Sequence, residues 1–227
     1  MNRILALALC LSLPAAAADR SDEAKKRTQA FIDGLLKVKQ VEEGKPLTAA
    51  ENDANQKVFS ELDGYFDWAY LTSEPVATRA DKFTKEERAE FDKKFKEVIR
   101  LVAYPDSGAF FRKAKWSISG AKDDGGDKAT VTIAASKDDL DTKVDMKWRI
   151  VEGSLRIYDV AFDGDSLVQD YKNQISRIID KGGVKDLIAK IDKRKAALEK
   201  SAGLAPAKEE AKPAEAKPAK DTKGAKK

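Results

Sequence analysis

The chain has 227 residues, a formal net charge of +4, no histidine and a single cysteine, Cys10. Without histidine it lacks the commonest general base and the usual nitrogen ligand of zinc. Seven of its lysines, against four acids, lie from Ser201 onward, so the body of the chain is close to neutral and unsuited to gripping nucleic acid.

Met1 to Ala18 carries one cation, Arg3, an apolar run from Ile4 to Leu13, and Ala16-x-Ala18 before Asp19. This is the pattern of a cleaved secretory signal peptide. The run is too short to cross a bilayer, and no later stretch approaches the ~20 apolar residues of a transmembrane helix. A lipoprotein reading of Cys10 fails on Leu9, which stands where a small residue is required. Cleavage discards Cys10, which excludes both a disulfide framework and a thiol nucleophile. The expected organisation is a signal peptide over 1–18, one domain over 19–200 and a tail over 201–227; about 180 residues suffice for one core with room for a ligand.

Asp19 to Val41 reads as a first helix whose narrow stripe, Phe31, Leu35 and Val38, lays it across the domain rather than inside it, with Gly34 weakening it by ~1 kcal/mol relative to alanine. Gly44-Lys45-Pro46 breaks the chain. Thr48 with Glu51 forms a capping box that opens a second helix, which carries Val58, Leu62 and, after Gly64, Tyr65, Phe66, Trp68, Tyr70 and Leu71, an aromatic run that belongs in a core or at its edge. Pro75 ends or bends this segment. Thr84 with Glu87 starts a third helix, with Phe91, Phe95, Val98, Ile99 and Val102 as its apolar stripe; Pro105 and Gly108 are expected to stop it, and Phe110-Phe111 to add at most a brief helical turn.

From Ala114 the hydrophobic period becomes two: Trp116 and Ile118, then Val131 and Ile133, then Val144, Met146, Trp148 and Ile150, then a strand at Leu155. Turns fall at Asp123 to Asp127, Lys137 to Asp139 and Glu152-Gly153. The economical reading is a four-stranded antiparallel meander. One face is wet and carries Lys143, Asp145, Lys147 and Arg149; the other is covered by helices. The last strand, Leu155, Ile157, Val160 and Phe162, slips its alternation once near Tyr158. Asp163-Gly164-Asp165 then turns the chain, and Ser166 with Gln169 has the form of a capping box for a helix bearing Leu167, Val168, Tyr171, Ile175, Ile178 and Ile179. Gly182-Gly183 ends it, and Val184, Leu187, Ile188, Ile191 and Leu198 mark a final helix. The Ala/Lys/Pro/Glu tail buries nothing and is expected to be disordered, serving as a solubilising extension or, through its lysines, as a tether to anionic membrane.

The aspartate-rich clusters at 123–127 and 163–165 lack the spacing and closing glutamate of an EF-hand, and turn chemistry accounts for them. Neither offers a metal centre. The residues therefore point to no catalytic apparatus, and carboxylate pairs acting on glycan remain the weakest alternative. By themselves the apolar stripes equally suit a closed core, which keeps open a non-enzymatic protein-interaction domain of the cell envelope.

Asp159-Val160, Phe162-Asp163-Gly164-x-Ser166-Leu167-Val168 and Tyr171-Lys172-x-Gln174 resemble the end of the sheet and the following helix in the MlaC family of periplasmic phospholipid carriers, also called toluene-tolerance proteins. Phe83-Thr84-x-Glu86-Glu87-Arg88-x-Glu90-Phe91-x-x-x-Phe95-x-x-Val98-Ile99, closing on Tyr104, is similar to that family's long central helix. The resemblance runs from about Phe31 to Leu198. It implies an α+β fold with helices on one face of the four-stranded sheet and an apolar cavity between, in a monomeric periplasmic protein without cofactor or enzymatic activity. Its implied partners are phospholipid, an inner-membrane ABC transporter with an MCE-domain protein, and an outer-membrane lipoprotein and porin complex, in the service of outer-membrane lipid asymmetry. Acyl chains would then be held by Phe66, Phe91, Phe95, Val98, Ile99, Val102, Trp116, Ile118, Val131, Ile133, Val144, Met146, Trp148, Ile150, Val160, Phe162, Val168 and Tyr171. Since the strand alternation points the cations away from that face, the phosphate is expected near solvent, with little discrimination between headgroups. The chain departs from the family pattern at Leu155, where an aromatic is usual, at Asp165, where an apolar residue is usual, and in lacking a Gly-x-x-Trp around Ala77 to Phe83.

Overall fold

The computed structural model describes residues 15–41 and 45–201. The expected signal peptide, apart from residues 15–18, and the expected tail beyond Ser201 lie outside the described residues. The element order is α1 (Ala15–Leu35), α2 (Ala49–Asp63), α3 (Trp68–Ser73), a 3₁₀ segment (Glu74–Lys82), α4 (Lys85–Lys113), then β1 (Lys115–Gly125), β2 (Lys128–Lys137), β3 (Leu140–Val151), β4 (Ser154–Phe162), β5 (Asp165–Ser166) and α5 (Leu167–Ser201). The fold is α+β, with one antiparallel sheet in the order β1-β2-β3-β4-β5.

The sheet has five strands rather than four. The turn foreseen at Asp163-Gly164 is a hairpin, because Asp163 (φ 51) and Gly164 (φ 99) adopt the paired positive φ of a tight two-residue turn and fold Asp165-Ser166 back onto Ala161-Phe162. The slip in β4 is a bulge: Lys147 pairs with Asp159 and Trp148 with Ile157, which leaves Tyr158 unpaired and keeps Ile157 and Val160 on one face. Upstream of β5, the free edge of β4 is met by the chain after α2, where Asp67 N–H donates to the Ile157 carbonyl at 2.9 Å and Ile157 N–H to Tyr65 at 2.7 Å.

Four helix expectations change. The second helix ends at Asp63, capped by Gly64, and the residues after it form a short irregular stretch and then α3, which Asp67 caps. α1 stops at Leu35 because Asn55 of α2 takes over the backbone of Lys39, accepting its N–H at 2.7 Å and donating to its carbonyl at 3.0 Å. α1 also lies inside the domain: Ala24, Thr28 and Ile32 are all fully buried, and Trp148 donates its indole N–H to the Thr28 hydroxyl at 3.1 Å. α4 is not stopped at Pro105 but runs on to Lys113. Proline withdraws one helical donor, yet the C-terminal half of the helix is held from outside. Gln40 donates to the Pro105 carbonyl at 3.1 Å, and the Arg112 guanidinium donates to the Leu36 carbonyl at 2.8 Å and to that of Val38, satisfying acceptors at the end of α1.

Both N-terminal capping boxes, Thr48 with Glu51 and Thr84 with Glu87, are formed in full. At Ser166 only half of one forms: Gln169 N–H donates to the Ser166 hydroxyl at 3.1 Å, but the Gln169 side chain turns to Asn173, and Asp159 accepts the Val168 N–H instead. Gly183 (φ 76) breaks α5 into two arms, as the glycine pair implied.

Gly108 and Gly34 respond oppositely to alanine although both lie in helices. A Cβ on Gly108 would meet the Leu35 carbonyl oxygen at 2.6 Å, a backbone atom that cannot withdraw, whereas on Gly34 it would meet only the end of the Leu62 side chain at 2.9 Å. Gly108→Ala is therefore expected to destabilise by about 1–3 kcal/mol despite its better helix propensity, and Gly34→Ala to stay within about 1 kcal/mol of wild type. Urea titrations of the two variants measure this directly.

Candidate binding cavity

The buried apolar side chains form two separate cores. The larger joins the inner face of the sheet (Val131, Ile133, Val144, Met146, Trp148, Leu155, Ile157) to α1, α2 and the C-terminal half of α4 through Phe31, Leu35, Leu62, Tyr104 and Phe111. The smaller is all-helical: Val76, Phe91, Phe95, Ile175, Ile179, Leu187 and Ile191. Between them lies a cavity of about 310 Å³, at the lower end of the range for ligand pockets.

Its walls come from both sides. α1 supplies Phe31 and Leu35; Phe66 and Leu71 follow α2; α4 supplies Ile99, Ala103, Tyr104, Asp106, Ser107, Phe110 and Phe111. Val144 and Met146 of β3, with Ile157, Asp159, Val160 and Phe162 of β4, form the sheet wall, and Leu167, Val168 and Tyr171 of α5 close the last side. Aromatic rings stiffen one end, with Phe66 edge-on to Phe31 at 5.3 Å and tilted to Tyr104 at 5.9 Å. Asp106, Phe162 and Leu167 are the exposed members and mark the opening.

The polar groups in this lining are few and mostly committed elsewhere. The Tyr104 hydroxyl donates to Asp63 at 2.8 Å, and Asp63 also holds Lys96 at 3.1 Å and Arg100 at 3.3 Å. Burial, reinforced by the Asp63 charge, keeps the Tyr104 phenol protonated far above its ordinary range. Burial likewise raises the Tyr171 phenol. The buried Asp159 carboxylate accepts the Val168 N–H at 3.2 Å and the Lys147 ammonium at 2.9 Å. Burial alone would depress Lys147, but its hydrogen bond to Asp159 and that neighbour's charge more than offset this and lift its pKa. No lysine or arginine belongs to the lining. On the wet face of the sheet Lys143 pairs with Asp145 at 2.9 Å, and Arg149 is held by Asp67 with its guanidinium 4.5 Å from the centre of the Tyr70 ring. The aspartate clusters are spent on turns: Asp123 accepts Gly125 N–H at 2.8 Å and Asp163 accepts Lys143 N–H at 2.8 Å.

Of the side chains the sequence nominated, Phe66, Ile99, Val144, Met146, Val160, Phe162, Val168 and Tyr171 meet in this cavity. Phe91, Phe95 and Val98 pack into or against the helical core. Val131, Ile133 and Trp148 are fully buried beneath α1, with Trp116 and Ile118 packed at the edge of the same core. Val102 is half-buried and Ile150 is 40% exposed, both away from the lining. Phe31, Leu35, Leu71, Ala103, Tyr104, Asp106, Ser107, Phe110, Phe111, Ile157, Asp159 and Leu167 join the cavity without having been nominated. A continuous α4 was the missing signal for four of these, since Asp106, Ser107, Phe110 and Phe111 lie beyond the proline taken as its end.

A two-layer α+β domain with a cation-free hydrocarbon cavity at the seam between its cores defines a class of proteins suited to apolar ligands. Residues 32–193 match the family model described as MlaC protein, and the chain belongs to that family. Solved structures of the same fold include the phospholipid-binding protein from Ralstonia solanacearum, in complex with a phospholipid, at a TM-score of 0.58 and 18% identity over 78% of this chain and 98% of that one. Comparison with curated proteins gave no match.

Separate cores imply separable costs. Phe91→Ala removes a fully buried ring stacked 5.1 Å from Phe95 and is expected to cost about 3–5 kcal/mol in chemical denaturation. Ile99→Ala, which loses contacts only on the side away from the cavity, is expected to cost under about 2 kcal/mol.

Proposed function

We propose that the chain is a periplasmic phospholipid carrier, exported by its signal peptide, whose domain over 19–200 holds acyl chains in the cavity between sheet and helices. It acts as a monomer, shuttling lipid between an outer-membrane lipoprotein complex and an inner-membrane ABC transporter with an MCE-domain protein, and so serves outer-membrane lipid asymmetry. The observation that carries this reading is the cavity itself, lined mostly by apolar side chains with no lysine or arginine among them, in a member of the MlaC family. The phospholipid in the Ralstonia solanacearum protein of the same fold supports it.

Energetics explain why such a protein is needed and why it need not be an enzyme. Two acyl chains of ordinary length expose ~30 methylenes, at ~0.8 kcal/mol each, so unaided crossing of an aqueous gap costs on the order of 20 kcal/mol. A dry pocket removes that barrier. Chains in the pocket and chains in a bilayer have similar free energy, so direction is set by the partners at either end. The phosphate stays at the mouth, where Asp106 and Ser107 are the polar wall groups and no fixed cation selects a headgroup.

Organic extraction of protein purified from a bacterial periplasm is expected to release diacyl phospholipid near one per chain by mass spectrometry. Met146→Trp, which puts an indole into the sheet wall, is expected to displace that lipid with little loss of stability. A lipid-free protein that also takes none up from vesicles, or a Met146→Trp variant destabilised by the 1–3 kcal/mol typical of an overfilled closed core, contradicts the reading.

A further inference from the structure

Two carboxylates, Asp159 and Asp106, line the cavity, and only one of them is satisfied by the protein. Asp159 is buried and accepts the Lys147 ammonium at 2.9 Å and the Val168 N–H at 3.2 Å. Asp106 is exposed at the opening, and its carboxylate has no hydrogen-bond or ion-pair partner among the described residues. Its helical neighbours three and four positions away, Val102, Ala103, Ala109 and Phe110, carry no charge. Further along α4, Arg112 is spent on the Leu36 and Val38 carbonyls, and Lys113 stands two turns on, roughly 10 Å away by helical rise. On the sheet side of the opening, Lys143 donates its backbone N–H to Asp163 and turns its ammonium to Asp145 at 2.9 Å. Aspartate is also among the poorer helix formers, so neither a partner nor the helix accounts for a charge at this position.

Ala103, Asp106, Ser107 and Phe110 follow one another at helical spacing and all line the cavity, so the free carboxylate stands on the same face of α4 as the apolar wall, where that face meets solvent. A lipid with its acyl chains inside therefore holds its headgroup beside Asp106, well within the screening length of about 8–10 Å. A lining without lysine or arginine gives the phosphate itself nothing to bind. The carboxylate acts on what lies beyond the phosphate: it attracts an ammonium group and repels a headgroup of net negative charge. We propose that Asp106 makes the cavity selective for phospholipids whose headgroup carries an ammonium, of the phosphatidylethanolamine kind, over anionic ones such as phosphatidylglycerol. This rests on the carrier reading and adds to it the class of headgroup that is carried.

The test is competitive loading. The protein is incubated with vesicles of equimolar phosphatidylethanolamine and phosphatidylglycerol of matched acyl chains, re-isolated, and its bound lipids are quantified by mass spectrometry. Wild type is expected to hold about fivefold more phosphatidylethanolamine, the size of effect an exposed ion pair supports, and to lose most of that preference between about 0.1 and 0.5 M salt. Asp106→Asn is expected to bring the ratio to about one, and Asp106→Lys to reverse it, with total lipid per chain unchanged in both. Neither variant removes a contact within the protein, so the fold is not at stake. Equal loading of the two lipids by wild type overturns the proposal while leaving the carrier reading intact. A preference that survives both substitutions also overturns it, by placing the selection elsewhere. A wild type that takes up neither lipid defeats the carrier reading, and the proposal falls with it.

Discussion

The C-terminal half of α4 is held against the end of α1 by a backbone approach that only glycine permits. Gly108 lies so close to the Leu35 carbonyl that a Cβ would sit 2.6 Å from it, and Arg112 and Gln40 add hydrogen bonds on either side. This keeps a 29-residue helix intact across Pro105. Its N-terminal half is thereby committed to the helical core through Phe91 and Phe95, and its C-terminal half to the sheet core through Tyr104 and Phe111. One rigid rod shared by two cores holds them apart. The cavity lies where neither can reach the other, along Ile99 to Phe111.

Polar groups near that seam are mostly engaged away from it. Asp63 gathers the Tyr104 hydroxyl, Lys96 and Arg100, and Asp159 takes the Val168 amide at the start of α5 and the Lys147 ammonium. Each carboxylate carries hydrogen bonds that would otherwise point inward or remain unmet at a cost of about 1–3 kcal/mol. What remains facing the cavity is mostly hydrocarbon and aromatic surface, with Asp106 and Ser107 as polar groups of α4 in the wall. The same commitments keep the strand cations out of the lining: Lys143 and Lys147 are paired on the wet face, and the bulge at Tyr158 returns Val160 to the face of Ile157.

Much of this was legible in the residues, and where it was not the cause is physical. Period two gave the meander and the face of β3 that carries Val144 and Met146, and the alternation slip located the bulge. Capping residues located the starts of α2 and α4 because Thr48 and Thr84 act locally. The fifth strand was hidden because two residues are too few to show a period, and the length of α4 because tertiary contacts overrode the local effect of Pro105. Telling cavity residues from packed ones was out of reach of the sequence for a related reason. Helical spacing shows that Phe91, Phe95 and Ile99 share a face but not that the partner along that face changes from α5 to a void, and Trp148 and Ile133 differ from Met146 only in having α1 above them.

The central claim is that lipid occupies the cavity walled by the sheet core, α4 and α5, and does not enter the helical core. A phospholipid bearing a photoactivatable diazirine near the middle of its acyl chain, loaded into the protein and irradiated, tests this by peptide mass spectrometry. The account predicts cross-links to the seam, at Ile99 to Phe111 on α4, Met146, Val160 and Tyr171. Cross-links concentrated on Phe91, Phe95 and Leu187, or none with any part of the domain, would contradict it.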